Sequence, residues 1–198
     1  MMYLIRHGQT RSNVAGLLRG HADLPLDPTG QGQAEALAAL FSPVPLTAVI
    51  TSPLQRARAT GAPLARVTGA RLTVEPQLID RDYGPWTGHS PDELNERFGS
   101  LDAAPVVEDR EALVARVMAA VANLVAGLAP GPFAVVAHDA INRLILAGML
   151  SGPTGISLRQ PVGCWNLLIG SGERWQGAVV DAIPGDGHLP LPSGGTRP

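Results

Sequence analysis

Two histidines in this chain stand where an apolar run gives way to polar residues. The first lies in Arg6-His7-Gly8-Gln9-Thr10-Arg11-Ser12-Asn13, directly after the run Met2 to Ile5. Arg6 presents a planar fork of donors, Gly8 lets backbone approach a ligand closely, and Asn13 adds an amide; together they suit the oxygens of a phosphate. The second is His138-Asp139, directly after Phe133 to Ala137. Taken singly, neither decides anything, because polar residues at strand ends are common and most serve structure. Their joint placement depends on the elements that carry them.

Met2 to Ile5, Leu46 to Ile50, Leu72 to Val74 and Phe133 to Ala137 are short apolar runs ended by loop residues, and read as strands. Between them the spacing turns helical. Asp27-Pro28 opens a helix with Ala34, Leu37, Ala38 and Phe41 on one face. A second helix follows Thr51-Ser52-Pro53 to about Val67, with Pro63 marking a kink or an early end. Pro91 to Phe98 is a short helix stopped by Gly99, Arg110 to Leu128 a long amphipathic one, and Ala140 to Leu150 another. Gln77 to Ser90 reads as a loop. Val162 to Ile169 and Arg174 to Val180 read as strands joined at Ser171-Gly172-Glu173, an antiparallel hairpin. This alternation predicts a three-layer α/β sandwich, a mostly parallel central sheet with helices on both faces. Ligands in such folds sit beyond the carboxyl ends of the strands. Two histidines that each follow a strand therefore fall on the same rim.

The bulk numbers narrow the classes. The chain has 198 residues, 45% of them hydrophobic, which is enough for one core. We expect a single domain over residues 1–183 and a Gly/Pro-rich tail over 184–198. A formal net charge of −2 carries no basic excess, so nucleic acid is not the expected partner. All 15 cationic side chains are Arg. Loss of every Lys, with abundant Ala and Gly, reads as a GC-rich bacterial genome, yet it also excludes chemistry: a P-loop and a Schiff base both need that amine. Cys164 has no partner for a disulfide and sits in an apolar run as a buried free thiol. The N-terminus carries charge too early for a signal peptide, and no run approaches the ~20 apolar residues of a membrane span. We expect a cytoplasmic protein.

Six stretches, in order, resemble the histidine phosphatase superfamily, which includes the cofactor-dependent phosphoglycerate mutases. They are Leu4-Ile5-Arg6-His7-Gly8-Gln9-Thr10 with Asn13; Leu18-Arg19-Gly20-His21-Ala22-Asp23-Leu24-Pro25-Leu26; Thr29-Gly30-Gln31-Gly32-Gln33-Ala34; Thr51-Ser52-Pro53-Leu54-Gln55-Arg56-Ala57-Arg58-Ala59-Thr60; Asp82-Tyr83-Gly84-Pro85-Trp86-Thr87-Gly88; and Val136-Ala137-His138-Asp139. The resemblance implies a phosphoglycerate mutase-like fold, His7 as nucleophile, and a phosphate pocket of Arg6, Arg56 and His138. Asn13 would assist, and Gly20 would present backbone to the substrate. No metal and no organic cofactor is implied. The physics agrees: a phosphoryl group in transfer spreads negative charge over its equatorial oxygens, so positioned cationic donors do most of the work. Their field keeps His7 neutral, with a lone pair free to attack.

The proton donor has two candidates. Members of the family use a Glu two residues before a pair like Asp82-Tyr83, which here is Asp80; a second pattern places the acid directly after the second histidine, which is Asp139. Asp80 is favoured, since more of its neighbourhood matches. A mutase is the alternative activity. It would need more positive charge than Ser90 to Glu108 supplies, where Arg97 is the single cation. A non-catalytic phosphate- or phosphoprotein-binding module is the alternative from another class. A metal centre of His7, His138 and Asp139 would lack a further ligand and compete with two guanidiniums. We expect hydrolysis of a small phosphorylated substrate; its identity and the oligomeric state stay open.

Overall fold

The computed structural model describes residues 1–150, 158–171, 174–188 and 190. Six strands form one sheet: β1 (Met2–Arg6), β2 (Ala48–Thr51), β3 (Arg71–Val74), β4 (Phe133–Ala137), β5 (Trp165–Ser171) and β6 (Arg174–Ala182), in the order β3-β2-β4-β1-β5-β6. The first four are parallel; β5 runs antiparallel to β1, and β6 antiparallel to β5. This is the expected mostly parallel sheet closed by a hairpin. Gly172 and Glu173 of its turn lie outside the described residues.

Helices cover both faces, and the strands sort their side chains by the two-residue period of the pleat. Met2, Leu4, Ile50 and Val135 point to one side, where α5 (Arg110–Gly127) and α6 (Asp139–Met149) bring Leu113, Val117, Val121, Ile141 and Ile145 against them. Tyr3, Ile5, Val49, Ala134 and Val136 point to the other. There α2 (Pro28–Phe41) and α3 (Gln55–Thr68) supply Leu37, Phe41, Ala57 and Leu64. β1 and β4 are buried along their whole length, as a parallel strand covered on both faces must be.

Several boundaries differ from the sequence reading for physical reasons. Pro63 does not end its helix: α3 runs on to Thr68, stopped by Gly69 in the left-handed region. Burial of Leu64 and Ala65, with Gly61 letting the helix lie close on Thr51, outweighs the lost backbone bond. A short helix α1 (Arg11–Val14) lies in what read as loop; it buries nothing, so no apolar period announced it. α4 (Pro91–Phe98) is as expected, capped by Ser90 and stopped by Gly99. β5 begins at Trp165 because Gly163 turns the chain at φ 70°. The tail is anchored at its start. Pro190 is buried and its carbonyl accepts from the Tyr3 hydroxyl; residues 189 and 191–198 lie outside the described residues. Among the described residues no helix is long and apolar enough to cross a membrane.

Candidate active site

β1 and β4 are adjacent and in register, Arg6 opposite Ala137, so the residues after them meet. His7 N–H donates to the Ala137 carbonyl at 3.0 Å. The two imidazoles lie with ring centroids 5.2 Å apart, both fully buried. His7 Nδ1 stands 2.6 Å from the Gly8 carbonyl oxygen. A carbonyl can only accept, so Nδ1 carries the proton and Nε2 keeps its lone pair. Nε2 has no hydrogen-bond partner. Burial first, then the neighbouring His138 imidazole and the charges of Arg56 and Arg6, hold the His7 pKa well below its usual 6.5, against a smaller pull upward from Gly8. Its neutral, nucleophilic form is the stable one.

Arg56 projects from the first turn of α3 and is fully buried. It donates to the carbonyls of Ala22 (2.7 Å) and Gly20 (2.9 Å) and to Asp80 Oδ2 (3.0 Å), leaving Nε unpartnered. Arg6 is anchored through Nη1 on the Gln160 carbonyl, and its Nε is likewise unpartnered. His138 bonds Ser52 Oγ through Nε2 at 2.7 Å, while Nδ1 lies 3.7 Å from Asp80 Oδ2 without a hydrogen bond. Burial and the fields of Arg56, Arg19 and Arg6 hold its pKa well below 6.5 as well. Above this floor opens a cavity of about 420 Å³ whose walls include Arg6, Asn13, Arg19, Asp80, Tyr83 and Asp139.

The two candidate acids sit differently. Asp80 is 5% exposed and contacts Arg56 and His138 directly, with Oδ1 held by the Arg81 N–H. Asp139 is 35% exposed and bonds Arg143 Nε one helical turn along at 2.7 Å. The structure therefore brings His7, Arg6, Arg56, His138 and Asp80 together and puts Asp139 and Asn13 on the cavity wall. Gly20 lies beside this cluster, its carbonyl receiving Arg56. Its φ of 47° and close approach to Arg81, Tyr83 and Thr87 make a side chain there strained and crowded. His21 donates through Nε2 to the Asp80 carbonyl at 2.9 Å. Trp86 packs on Phe98 and donates to Pro105, as a residue under a loop should. Sequence reasoning gave no role to Arg19, Ser52 or Gln160. Arg19 and Ser52 lay inside quoted motifs, but Gln160 acts through its carbonyl, which any residue type provides. Among the described residues no group of three His, Cys, Asp or Glu is placed to hold a metal ion.

Comparison with known proteins agrees with this geometry. The profile of the histidine phosphatase superfamily (branch 1) matches residues 2–181. An adenosylcobalamin/alpha-ribazole phosphatase of Salmonella typhimurium is 31% identical over 179 residues, covering 84% of this chain and 89% of its own. A probable phosphoglycerate mutase of Photorhabdus laumondii is 33% identical over 132 residues, covering 62% of this chain and 61% of its own. Among solved structures, a mycobacterial glucosyl-3-phosphoglycerate phosphatase superposes with a TM-score of 0.80 at 26% identity, over 91% of this chain and 98% of that one. With a family profile spanning nearly the whole chain, this protein belongs to the histidine phosphatase superfamily.

Proposed function

We propose that the chain is a metal-independent phosphomonoester hydrolase that passes the phosphoryl group through His7. One observation carries this reading: three buried nitrogens, His138 Nδ1, Arg6 Nε and Arg56 Nε, lack hydrogen-bond partners in one cluster with His7, whose Nε2 lone pair is also unused. Buried polar atoms are almost always satisfied, so a concentration of orphans marks a place made for a ligand rich in acceptors. A phosphoryl group supplies three such oxygens.

In this reading His7 Nε2 attacks phosphorus while Arg6, Arg56 and His138 hold the equatorial oxygens. The bond to the leaving oxygen breaks as Asp80 gives that oxygen its proton. Asp80 then takes a proton from water, whose oxygen attacks the phosphohistidine and frees His7 and inorganic phosphate. The contacts of Asp80 with Arg56 and His138 support giving it both steps. Residues 1–183 act as one catalytic unit on a small phosphorylated substrate.

Mutase activity is the second reading, favoured by the Photorhabdus relative. Against it, Arg97 stacks on Trp86 and Phe98, at 5.3 and 5.1 Å from their ring centres, and takes no part in the cavity wall. The test is phosphate release from p-nitrophenyl phosphate with a chelator present, native against His7→Ala. We expect a loss of at least about a thousandfold. Activity that survives in His7→Ala overturns the nucleophile. Isomerisation of 3-phosphoglycerate, when 2,3-bisphosphoglycerate is supplied, would establish the mutase.

A further inference from the structure

Four arginines stand on the cavity wall: Arg6, Arg19, Arg81 and Arg143. Two are committed to the protein. Arg81 donates to the Glu108 carbonyl and pairs with Asp102; Arg143 pairs with Asp139 and donates to the carbonyls of Leu158 and Arg159. Arg6 belongs to the phosphate cluster. Arg19 is left over: it makes one bond, Nη1 to the Leu17 carbonyl at 2.9 Å, its Nε is buried without a partner, and it has no ion pair among the described residues.

Arg19 is also held in place. Leu18 before it exchanges two backbone bonds with the loop above, Leu18 N–H to His89 O (2.9 Å) and Gly88 N–H to Leu18 O (2.8 Å). Gly20 after it is wedged against Arg81, Tyr83 and Thr87. A guanidinium on such a rigid turn loses little freedom on meeting an anion. It shares the cavity wall with Arg6 and Asp80.

Charge balance says what Arg19 meets. Arg6 and Arg56 are the two guanidiniums of the phosphate cluster, one for each charge of a phosphomonoester dianion. Arg19 is a third guanidinium without an acidic partner among the described residues, on the wall of the cavity above that cluster. We propose that Arg19 is a specificity residue that binds a second anionic group, a carboxylate or a further phosphate, on the alcohol portion of the substrate. This rests on the phosphatase reading of the same site.

Two esters of nearly equal size separate the possibilities: 3-phosphoglycerate carries a carboxylate where glycerol 3-phosphate carries a hydroxymethyl group. The full chain should hydrolyse the first with kcat/KM at least about tenfold higher, and Arg19→Gln should remove most of that ratio. Arg19→Glu should invert it. Misfolding scales both rates together and leaves the ratio alone, so the ratio reads Arg19 itself. A native ratio near one, or equal losses on both esters in Arg19→Gln, would overturn the proposal. If neither ester is turned over, their inhibition constants against p-nitrophenyl phosphate are compared in the same way, and equal constants overturn it. If p-nitrophenyl phosphate is not hydrolysed, or survives His7→Ala, the phosphatase reading has failed. Direct binding of the two esters to native and Arg19→Gln protein then still decides about Arg19.

Discussion

Two arginine-rich regions lie side by side in this molecule and have opposite character. Beneath the loop that carries Asp80, Arg116 bonds Glu108 through both Nε (2.7 Å) and Nη2 (3.0 Å), and its remaining donors reach the carbonyls of Gln77, Ile79 and Asp80. Arg81 next to it is spent on Glu108 and Asp102. Every guanidinium there is answered by the protein. On the catalytic floor, Arg6, Arg19 and Arg56 each keep a buried nitrogen unanswered. Counting charges would not tell the two regions apart; counting unmet hydrogen bonds does. The first is a brace that holds the Asp80 backbone, and the second is the binding surface on the function proposed above.

The largest expected effect separates the acids. Asp80→Asn should lower kcat about 10²–10⁴-fold, the usual range for a general acid, while Asp139→Asn should lower it less than about tenfold. A chemically activated ester such as p-nitrophenyl phosphate needs less help in leaving, so the Asp80→Asn defect should shrink on it relative to an alkyl phosphate. If Asp139→Asn is the crippled enzyme, the contact of Asp80 with Arg56 and His138 is structural and the roles are exchanged.

Next is the brace itself. Arg116 and Glu108 are 17% and 19% exposed, and removing one partner of such a pair leaves the other charge poorly solvated. Arg116→Ala should cost about 2–3 kcal/mol in denaturant melts, discounted from a fully buried pair because water reaches both groups. An unchanged melt would mean the region braces nothing.

What the sequence made legible follows the same division. His7 and His138 could be placed on one rim because each follows a buried strand, and strand ends are visible in an apolar pattern. Asp139 was equally visible, yet the sequence could not show its bond to Arg143, one turn along α6, while Asp80 meets Arg56 and His138 across the fold. The brace was illegible: its acceptors are mostly backbone carbonyls, and Arg116 reads only as a polar residue on an amphipathic helix. Gly20 shows the same limit. Its carbonyl accepts from Arg56, a contact that a backbone oxygen of any residue could make and that no motif announces. Arg19 stood in a quoted motif, but surplus charge can be recognised only after its neighbours' partners are known.

The floor should also mark itself in the pH dependence of stability. His7 and His138 fold as neutral imidazoles with pKa values pulled well below 6.5 by burial and by the surrounding cations. The unfolded chain therefore binds these protons first as pH falls below about 6.5, and stability declines with falling pH until the folded pKa is reached. Each histidine contributes a slope of up to ~1.4 kcal/mol per pH unit. Melts between pH 6.5 and 5, above most carboxylate titration, should show this slope and show it reduced in His7→Gln. A flat profile would mean that the imidazoles are charged in the fold, and His7 could not then attack.

The smallest effect belongs to an arginine of neither region. Arg66 pairs with Glu35 across α3 and α2 at 3.0 Å, but both side chains are mostly exposed, at 65% and 59%. Water solvates either charge when the other is removed, and salt screens the pair. Arg66→Ala should shift stability by less than about 0.5 kcal/mol and leave kcat/KM unchanged. Both readouts are needed: Arg116→Ala moves the melt, a floor substitution moves turnover, and Arg66→Ala should move neither. A large stability loss at Arg66 would show that ion pairing in general, rather than the desolvated satisfaction of a guanidinium, is what supports this fold, and the contrast between brace and floor would lose its basis.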